Sequence, residues 1–434
     1  MAPALRPRVV IVGGGFGGLA AAVGLRHAPV EITLIDRRNH HVFQPLLYQV
    51  ATGGLSPGDI AWPLRGILRR NRNTRVLMGE VQDIDTDRRS VILAQGEVPY
   101  DTLVVAAGAS HGYFGHERWE SVAPGLKTIE QASAVRSRIL GAFEAAESAA
   151  DVEDRRAWLG FAIVGAGPTG VELAGTLGEI ARDTMRGDFR NIDPAEARII
   201  LLDFAPRVLP QFPPDLSAQA EESLIRLGVR SRMGLRVTEV DAEGVTAEGP
   251  HGTERIPART VIWAAGVEAS PLGRVLAART ATPVDSAGRL LVEPDFSLPG
   301  HPEILVIGDL ADYRHDGGVR LPGLAPVAMQ EGRHAARIIA GRLRGEAKPT
   351  FHYVDKGVMA TIGRHHAVAM LWNFHFHGLA AWLLWLFVHL LYLMSFQSRV
   401  LVATQWAFLY FTFNRSARLI LGERRRERPE SMPS

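Results

Sequence analysis

A glutamate stands two residues behind the last glycine of "GAGPTG": Glu172 follows Gly165, Gly167 and Gly170. A carboxyl there lies in the first turn of a helix, where the positive end of the helix dipole favours negative charge. It could serve that end alone, or it could face the ring of a bound ligand. Glycines spaced G-x-G-x-x-G point to the kind of ligand. The first permits a tight strand-to-helix turn, the second lets backbone approach a pyrophosphate, and the third lets helix pack on strand. Gly13, Gly15 and Gly18 set out the same device near the start of the chain. An acid closes the strand after each turn, Asp36 and Asp203, placed to accept from ribose hydroxyls. Asp203 lies beyond the usual spacing of ~20 residues. The excess fits the polar stretch "RDTMRGDFRNIDPAE". An acid at that strand end favours a free 2′-hydroxyl, hence NADH over NADPH, although Arg207 follows closely.

Two dinucleotide cradles in one chain imply that one nucleotide passes electrons to the other. Flavin in the first and nicotinamide in the second is the economical pairing, because a flavin accepts hydride. There is no cysteine, which excludes disulfides, thiolate metal sites and any redox-active cysteine pair. His365 with His366, and His375 with His377, lack carboxylate or cysteine companions in the sequence, so no metal site is expected. With 47% hydrophobic and 22% charged residues the chain reads as globular, and a net charge of +2 gives no ground for a nucleic-acid partner. Its lysines are Lys127, Lys348 and Lys356; arginine supplies the remaining basic charge.

The elements that position these residues are legible as alternation. "RVVIV", "FGGLAAAVGLRH" and "VEITLID" read as strand, helix and strand, and "GFAIVGAG", "GVELAGTLGEIARD" and "ARIILLD" repeat the unit. Further strands end at Gly108 ("TLVVAAG"), Gly266 ("TVIWAAG") and Asp309 ("EILVIGD"). A helix begins at Leu324 with Pro326 in its first turn. The expected fold is α/β, with two Rossmann-like dinucleotide-binding domains, the first interrupted by the second. The boundaries expected are 1–120 with 285–350 for the flavin domain, 121–284 for the nicotinamide domain, and 351–434 for a C-terminal helical region.

That last region is of a different kind. Residues 378–396, "GLAAWLLWLFVHLLYLMSF", sit at the lower length limit for crossing a bilayer, and His389 near the middle is costly in hydrocarbon. Trp382, Trp385, His389, Tyr392 and Phe396 recur at helical spacing as one stripe of interfacial side chains. "VLVATQWAFLYFTF" is too short to span. Arg399, Arg415, Arg418 and Arg424 to Arg426 offer cations to anionic headgroups. The expectation is a helix lying in the interface, attached peripherally on the cytoplasmic face, with a tail that would also serve a homodimer.

Over nearly its whole length the chain resembles the type II NADH dehydrogenases, single-chain NADH:quinone oxidoreductases of the two-dinucleotide-domain flavoproteins. "GGGFGGLAAA" and "GAGPTGVELAGTLGE" are shared widely in that superfamily. "NHHVFQPLLYQVATGGLSPGDIAWPLR", "LPGLAPVAMQEGRHAA" and "DKGVMATIGR" are more specific. The resemblance implies non-covalent FAD at Gly13, Gly15, Gly18 and Asp36, with Gly108 and Asp309 beside the flavin. It implies NADH at Gly165, Gly167, Gly170 and Asp203, with Gly266 lining its cleft. Gln330 matches the last glutamine of the family's A-Q-x-A-x-Q element near the quinone, whereas Pro326 replaces the middle one. Lys356 resembles the family's lysine beside the flavin, and Glu172 the glutamate near the nicotinamide. A Lys356 ammonium close to Glu172 would hold it ionised; without it, burial would raise the glutamate's pKa.

The activity expected is non-proton-pumping transfer of a hydride from NADH to FAD, then of two electrons to a membrane quinone. Sulfide:quinone and disulfide reductases need cysteines. A ferredoxin-type reductase would share both cradles but has no use for the apolar tail. A flavoprotein that only senses NADH is the alternative outside enzymology.

Overall fold

The computed structural model describes residues 6–314, 318–412, 415 and 417–421. The expected headgroup cations Arg424, Arg425 and Arg426 lie outside the described residues. The chain divides into two compact units, one of Met1–Phe43, Ala61–Gly112 and Gly266–Gly357, the other of Gln44–Ile60, Tyr113–Ala265 and Val358–Ser434.

In the first unit the strands Ser297–Leu298, His301–Val306, Thr102–Val105, Arg8–Val12, Glu31–Asp36 and Thr74–Met78 form one sheet in that order. All are parallel except the short Ser297–Leu298 edge. Val12 lies opposite both Ile35 and Val105, and Val306 opposite Val105, so these strands end level with one another. Ligands of open parallel sheets sit beyond such carboxyl ends. The sheet is buried on both faces. Val9 and Ile11 pack with the Phe16–Gly24 and Ala325–Arg344 helices, Val10 and Val12 with Leu276 and Leu310 on the other side. The chain returns to this unit at Gly266, earlier than the expected 285. The reason is local: Val267–Ala269 pairs with Ala109–His111, and Leu272–Thr280 packs over Val81–Asp85.

The second unit is built on the parallel order Val229–Met233, Arg198–Asp203, Gly160–Val164, Thr260–Trp263. An antiparallel sheet of Arg236–Asp241, Gly244–Gly249 and Gly252–Pro257 covers one side, its core closed by Tyr113 and Trp119, each in ring contact with Trp263. The C-terminal part belongs to this unit. Its sheet of Val358–Thr361, Ala367–Leu371 and Phe374–His377 meets the Pro168–Glu179 helix so closely that a Cβ on Gly175 would lie 2.8 Å from the Ile362 carbonyl oxygen.

Residues 378–396 do not form one helix. One helix runs Gly378–Tyr392, Leu393 is extended, and a second runs Phe396–Thr412. The expected aromatic stripe is therefore broken, and Trp385 turns inward against His389 and Trp406. Leu379, Leu383, Phe387 and Leu391 are exposed on the first helix, and Phe396 (80%) and Phe411 (78%), with Val400, Leu401 and Phe408, on the second. Among the described residues no helix is long and apolar enough to cross a membrane.

Candidate functional site

Both glycine turns follow one plan. At Gly13 φ is +103°, and a Cβ would stand 2.3 Å from the Ala106 carbonyl oxygen. At Gly165 φ is +109°, with the Ala264–Ala265 peptide at 2.6 Å. Each third glycine lies against the first: a Cβ on Gly18 would reach 1.9 Å from Gly13 O, and one on Gly170 1.8 Å from Gly165 O. The middle glycines differ. A Cβ on Gly15 or Gly167 would meet nothing within 4 Å. Each is the N-cap of its helix, Phe16–Gly24 or Pro168–Glu179, and no side chain caps it. The first-turn N–H groups thus face open space, where a phosphate satisfies them and meets the helix dipole.

The two acids are anchored in the same way. Asp36 Oδ2 accepts from Gly14 N at 2.6 Å and Oδ1 from Arg38 N at 2.7 Å. Asp203 Oδ2 accepts from Ala166 N at 2.5 Å and Oδ1 from Ala205 N at 2.8 Å. Each carboxylate stiffens its glycine loop and keeps acceptor capacity for a ribose. Arg207, which threatened the reading of Asp203, donates instead to the carbonyls of Pro210 and Phe212 at 2.9 and 2.8 Å.

Around the first cradle, Gly108 follows the Thr102–Val105 strand at φ +68°, its carbonyl accepting from Ser270 N. Gly266, with φ +66°, is the residue at which the chain enters this unit. Asp309 sits in the turn Gly308–Leu310 beyond the His301–Val306 strand. Beside it lies an acid the sequence reading missed. Glu331, next to Gln330, is 2% exposed and accepts from Gly308 N. Burial pushes its pKa up to about 7, against the Gly308 N–H, with Asp309 adding to the rise. Gln330 spends its amide in both directions on one residue: Nε2 donates to Val354 O and Oε1 accepts from Val354 N, each at 3.0 Å. It thereby clamps the extended strip carrying Lys356, two residues further on.

In the second unit Glu172 is buried at 8% exposure. Its Oε1 accepts from Thr361 N at 3.4 Å, and burial raises its pKa well above the carboxylate range. Two turns along the same helix, Glu179 accepts from Arg364 N and from Arg415 Nη2, the latter at 3.0 Å. Arg415, expected to meet headgroups, is only 5% exposed; burial depresses its pKa while Glu179 raises it. Arg418 pairs with Asp188, and Arg399 donates to the carbonyls of Leu391 and Leu393 at the end of the preceding helix. These cations fasten the tail rather than face outward. His375 does have a carboxylate companion, Asp215 at 2.8 Å, in an exposed pair. No signal in the sequence marked Glu179 or the buried Tyr48, and Arg415 stood out only as a headgroup cation.

Residues 7–332 match the pyridine nucleotide-disulphide oxidoreductase family, and residues 356–415 match the NDH2 C-terminal domain. The type II NADH:quinone oxidoreductase NdhA of Mycobacterium tuberculosis is 48% identical over 411 residues, covering 92% of this chain and 86% of that protein. Ndh of the same organism, likewise a type II NADH:quinone oxidoreductase, is 46% identical over 422 residues, covering 95% and 90%. Among solved structures, NDH2 from Plasmodium falciparum in complex with NADH superposes with a TM-score of 0.86 at 20% identity, covering 96% of this chain and all of that one. The sulfide:quinone oxidoreductase of Aquifex aeolicus gives 0.71 at 20% identity, covering 96% and 92%.

Proposed function

Since the chain belongs to the type II NADH:quinone oxidoreductase family, we propose that it oxidises NADH at the second cradle and reduces a quinone, with FAD bound in the first. The observation that carries this reading is the matched pair of open N-cap glycines, each backed by an acid tied into its own loop. Both cradles fit a dinucleotide: backbone closes them where glycine is compulsory and leaves space where a pyrophosphate must approach. The bound flavin supplies the redox chemistry, accepting a hydride and returning two electrons.

The protein's share is binding, alignment and proton supply. Gly13, Gly15, Gly18 and Asp36 hold the FAD diphosphate and adenosine ribose, with Gly108 and Asp309 near the flavin. Gly165, Gly167, Gly170 and Asp203 hold NADH, and Gly266 follows the Thr260–Trp263 strand that pairs with Gly160–Val164. With Arg207 turned to backbone carbonyls, Asp203 repels a 2′-phosphate, so NADPH is a poor substrate. Gln330 positions the strip bearing Lys356. Burial raises the Glu172 pKa and so favours its protonated form. It is thus a reserve from which a quinone oxygen is protonated.

The exposed apolar side chains of the Gly378–Tyr392 and Phe396–Thr412 helices form the surface that meets the bilayer, where the quinone resides. Attachment is peripheral, on the cytoplasmic face that NADH reaches. The test is steady-state NADH oxidation by detergent-purified holoprotein with and without a short-chain quinone, with the released flavin identified. Sustained quinone-dependent turnover is expected. A single reduction that then stops would identify a sensor, and turnover only with a protein acceptor would identify a ferredoxin-type reductase.

A further inference from the structure

One helix sets the register between the two ends of the first cradle. On the Ala325–Arg344 helix, Gly332 lies against the helix of the glycine turn: a Cβ there would stand 2.1 Å from Gly17 O. Gly17 is two residues past the N-cap Gly15, in the first turn of Phe16–Gly24. The preceding residue, Glu331, meets the turn that carries Asp309, since its Oε2 accepts from Gly308 N at 2.5 Å. Ala328, three residues earlier, touches both ends. Its carbonyl oxygen would be 3.3 Å from a Cβ on Gly17, and its own Cβ 3.6 Å from one on Gly308. The diphosphate end and the Asp309 end are thus referenced to a single helix.

The Asp309 end is the one that needs an anchor. Gly308 has φ +72°, and glycine samples both signs of φ at little cost, so by itself it does not fix where the next residue points. On one side the Asp309 carboxyl has room because Gly323 has no side chain: a Cβ there would lie 3.1 Å from Asp309 Oδ1. The hydrogen bond from Gly308 N to Glu331 removes that freedom one residue before the acid. Glu331 is buried, so water does not compete for its oxygen. A carboxyl oxygen accepts whether or not the group is ionised, so the anchor holds on either side of a pKa of about 7.

We propose that Glu331 is a positioning residue for FAD, holding the Gly308 turn so that Asp309 meets the ribityl chain at a set distance from the diphosphate. The inference rests on the reading that the first cradle holds FAD with Asp309 near the flavin, and it names the side chain that keeps Asp309 in place. Glu331 acts on one half of the nucleotide. The adenosine diphosphate half is held by Gly13, Gly15, Gly18 and Asp36 and gains nothing from it.

The test is uptake of FAD by the full-length protein after its flavin has been stripped, followed by flavin fluorescence, with ADP as competitor. ADP carries the diphosphate and the adenosine ribose but no ribityl chain. Glu331→Leu should raise the FAD dissociation constant roughly 10- to 150-fold, the loss of one hydrogen bond to a charged group. The inhibition constant for ADP should not change. Glu331→Gln keeps an acceptor of the same shape and should weaken FAD only about two- to fivefold, the step from a charged to a neutral hydrogen bond. Asp309→Asn should weaken FAD by itself, and Glu331→Leu should add little in that background, because it acts through Asp309. An unchanged FAD constant in Glu331→Leu, parallel weakening of FAD and ADP, or full additivity with Asp309→Asn overturns the proposal. Should Glu331→Leu not fold, Glu331→Gln carries the test: loss confined to FAD supports the proposal, and no loss or an equal loss of ADP overturns it. Wild-type protein that takes up no FAD overturns the reading of the first cradle and this one with it; wild-type uptake with any of the failing results overturns this one alone.

Discussion

Alanine at Gly167 and at Gly170 should separate ligand binding from folding within a single turn. Gly167 has φ −72° and ψ −176°, a conformation open to any residue, and its added methyl meets nothing within 4 Å. Gly167→Ala should therefore keep its stability to within about 0.5 kcal/mol, as substitutions clear of packing do. The methyl would, however, stand where the NADH pyrophosphate approaches the helix N-terminus. Losing one charge-assisted N–H to phosphate bond costs about 1.5–3 kcal/mol, a rise of roughly 10- to 150-fold in the NADH dissociation constant. Gly170→Ala drives its methyl to 1.8 Å from Gly165 O, backbone that cannot yield, so it should lose about 3 kcal/mol or more of stability. The assay pairs thermal unfolding of the flavin-loaded protein with the KM for NADH. An unchanged KM in Gly167→Ala, or a melting loss equal to that of Gly170→Ala, would refute the assignment of the second cradle.

Three further outcomes follow from groups already described. Arg415→Met strands Glu179 and should cost about 3–5 kcal/mol, whereas Arg415→Met with Glu179→Gln should recover most of it; denaturant midpoints decide, and a double variant no better than the single would deny a buried ion pair. Glu331 rises from 4.5 to about 7 on folding, so the folded state holds its proton more tightly. Its contribution is fully present below pH ~4.5 and lost as pH climbs through ~7, a fall of up to about 3 kcal/mol. Glu331→Gln should flatten that slope in urea titrations, and an unchanged slope would count against it. Replacing Phe396 and Phe411 together by serine should weaken binding to liposomes at least tenfold, since each buried Phe contributes roughly 1.5–3 kcal/mol; flotation with unaltered recovery would remove these side chains from the lipid contact.

Legibility in the sequence tracked how local the cause was. The glycine turns are readable because the requirement for no side chain is written at fixed spacing, and Gly18 and Gly170 meet backbone within their own βαβ units. Asp36 and Asp203 were readable as ribose acceptors, but their second task, holding the loop N–H groups, needs coordinates. Arg415 looked like a headgroup cation because nothing near it in sequence is acidic. Its partner Glu179 is 236 positions away. The break at Leu393 was hidden by uniformly apolar composition, in which periodicity distinguishes a continuous helix from two helices poorly.

The interleaving of the two units bears on how the chain is made. The second unit's sheet comes from one unbroken stretch, Tyr113–Ala265, and can close as soon as that stretch has left the ribosome. The first cradle cannot. Arg8–Val12, Glu31–Asp36 and Thr102–Val105 emerge early but must await His301–Val306 and the Ala325–Arg344 helix that covers them. At synthesis rates of about 5–20 residues per second that delay is on the order of ten seconds or more. For that interval a parallel half-sheet has one edge uncovered, so prosthetic-group loading is a late event in biogenesis.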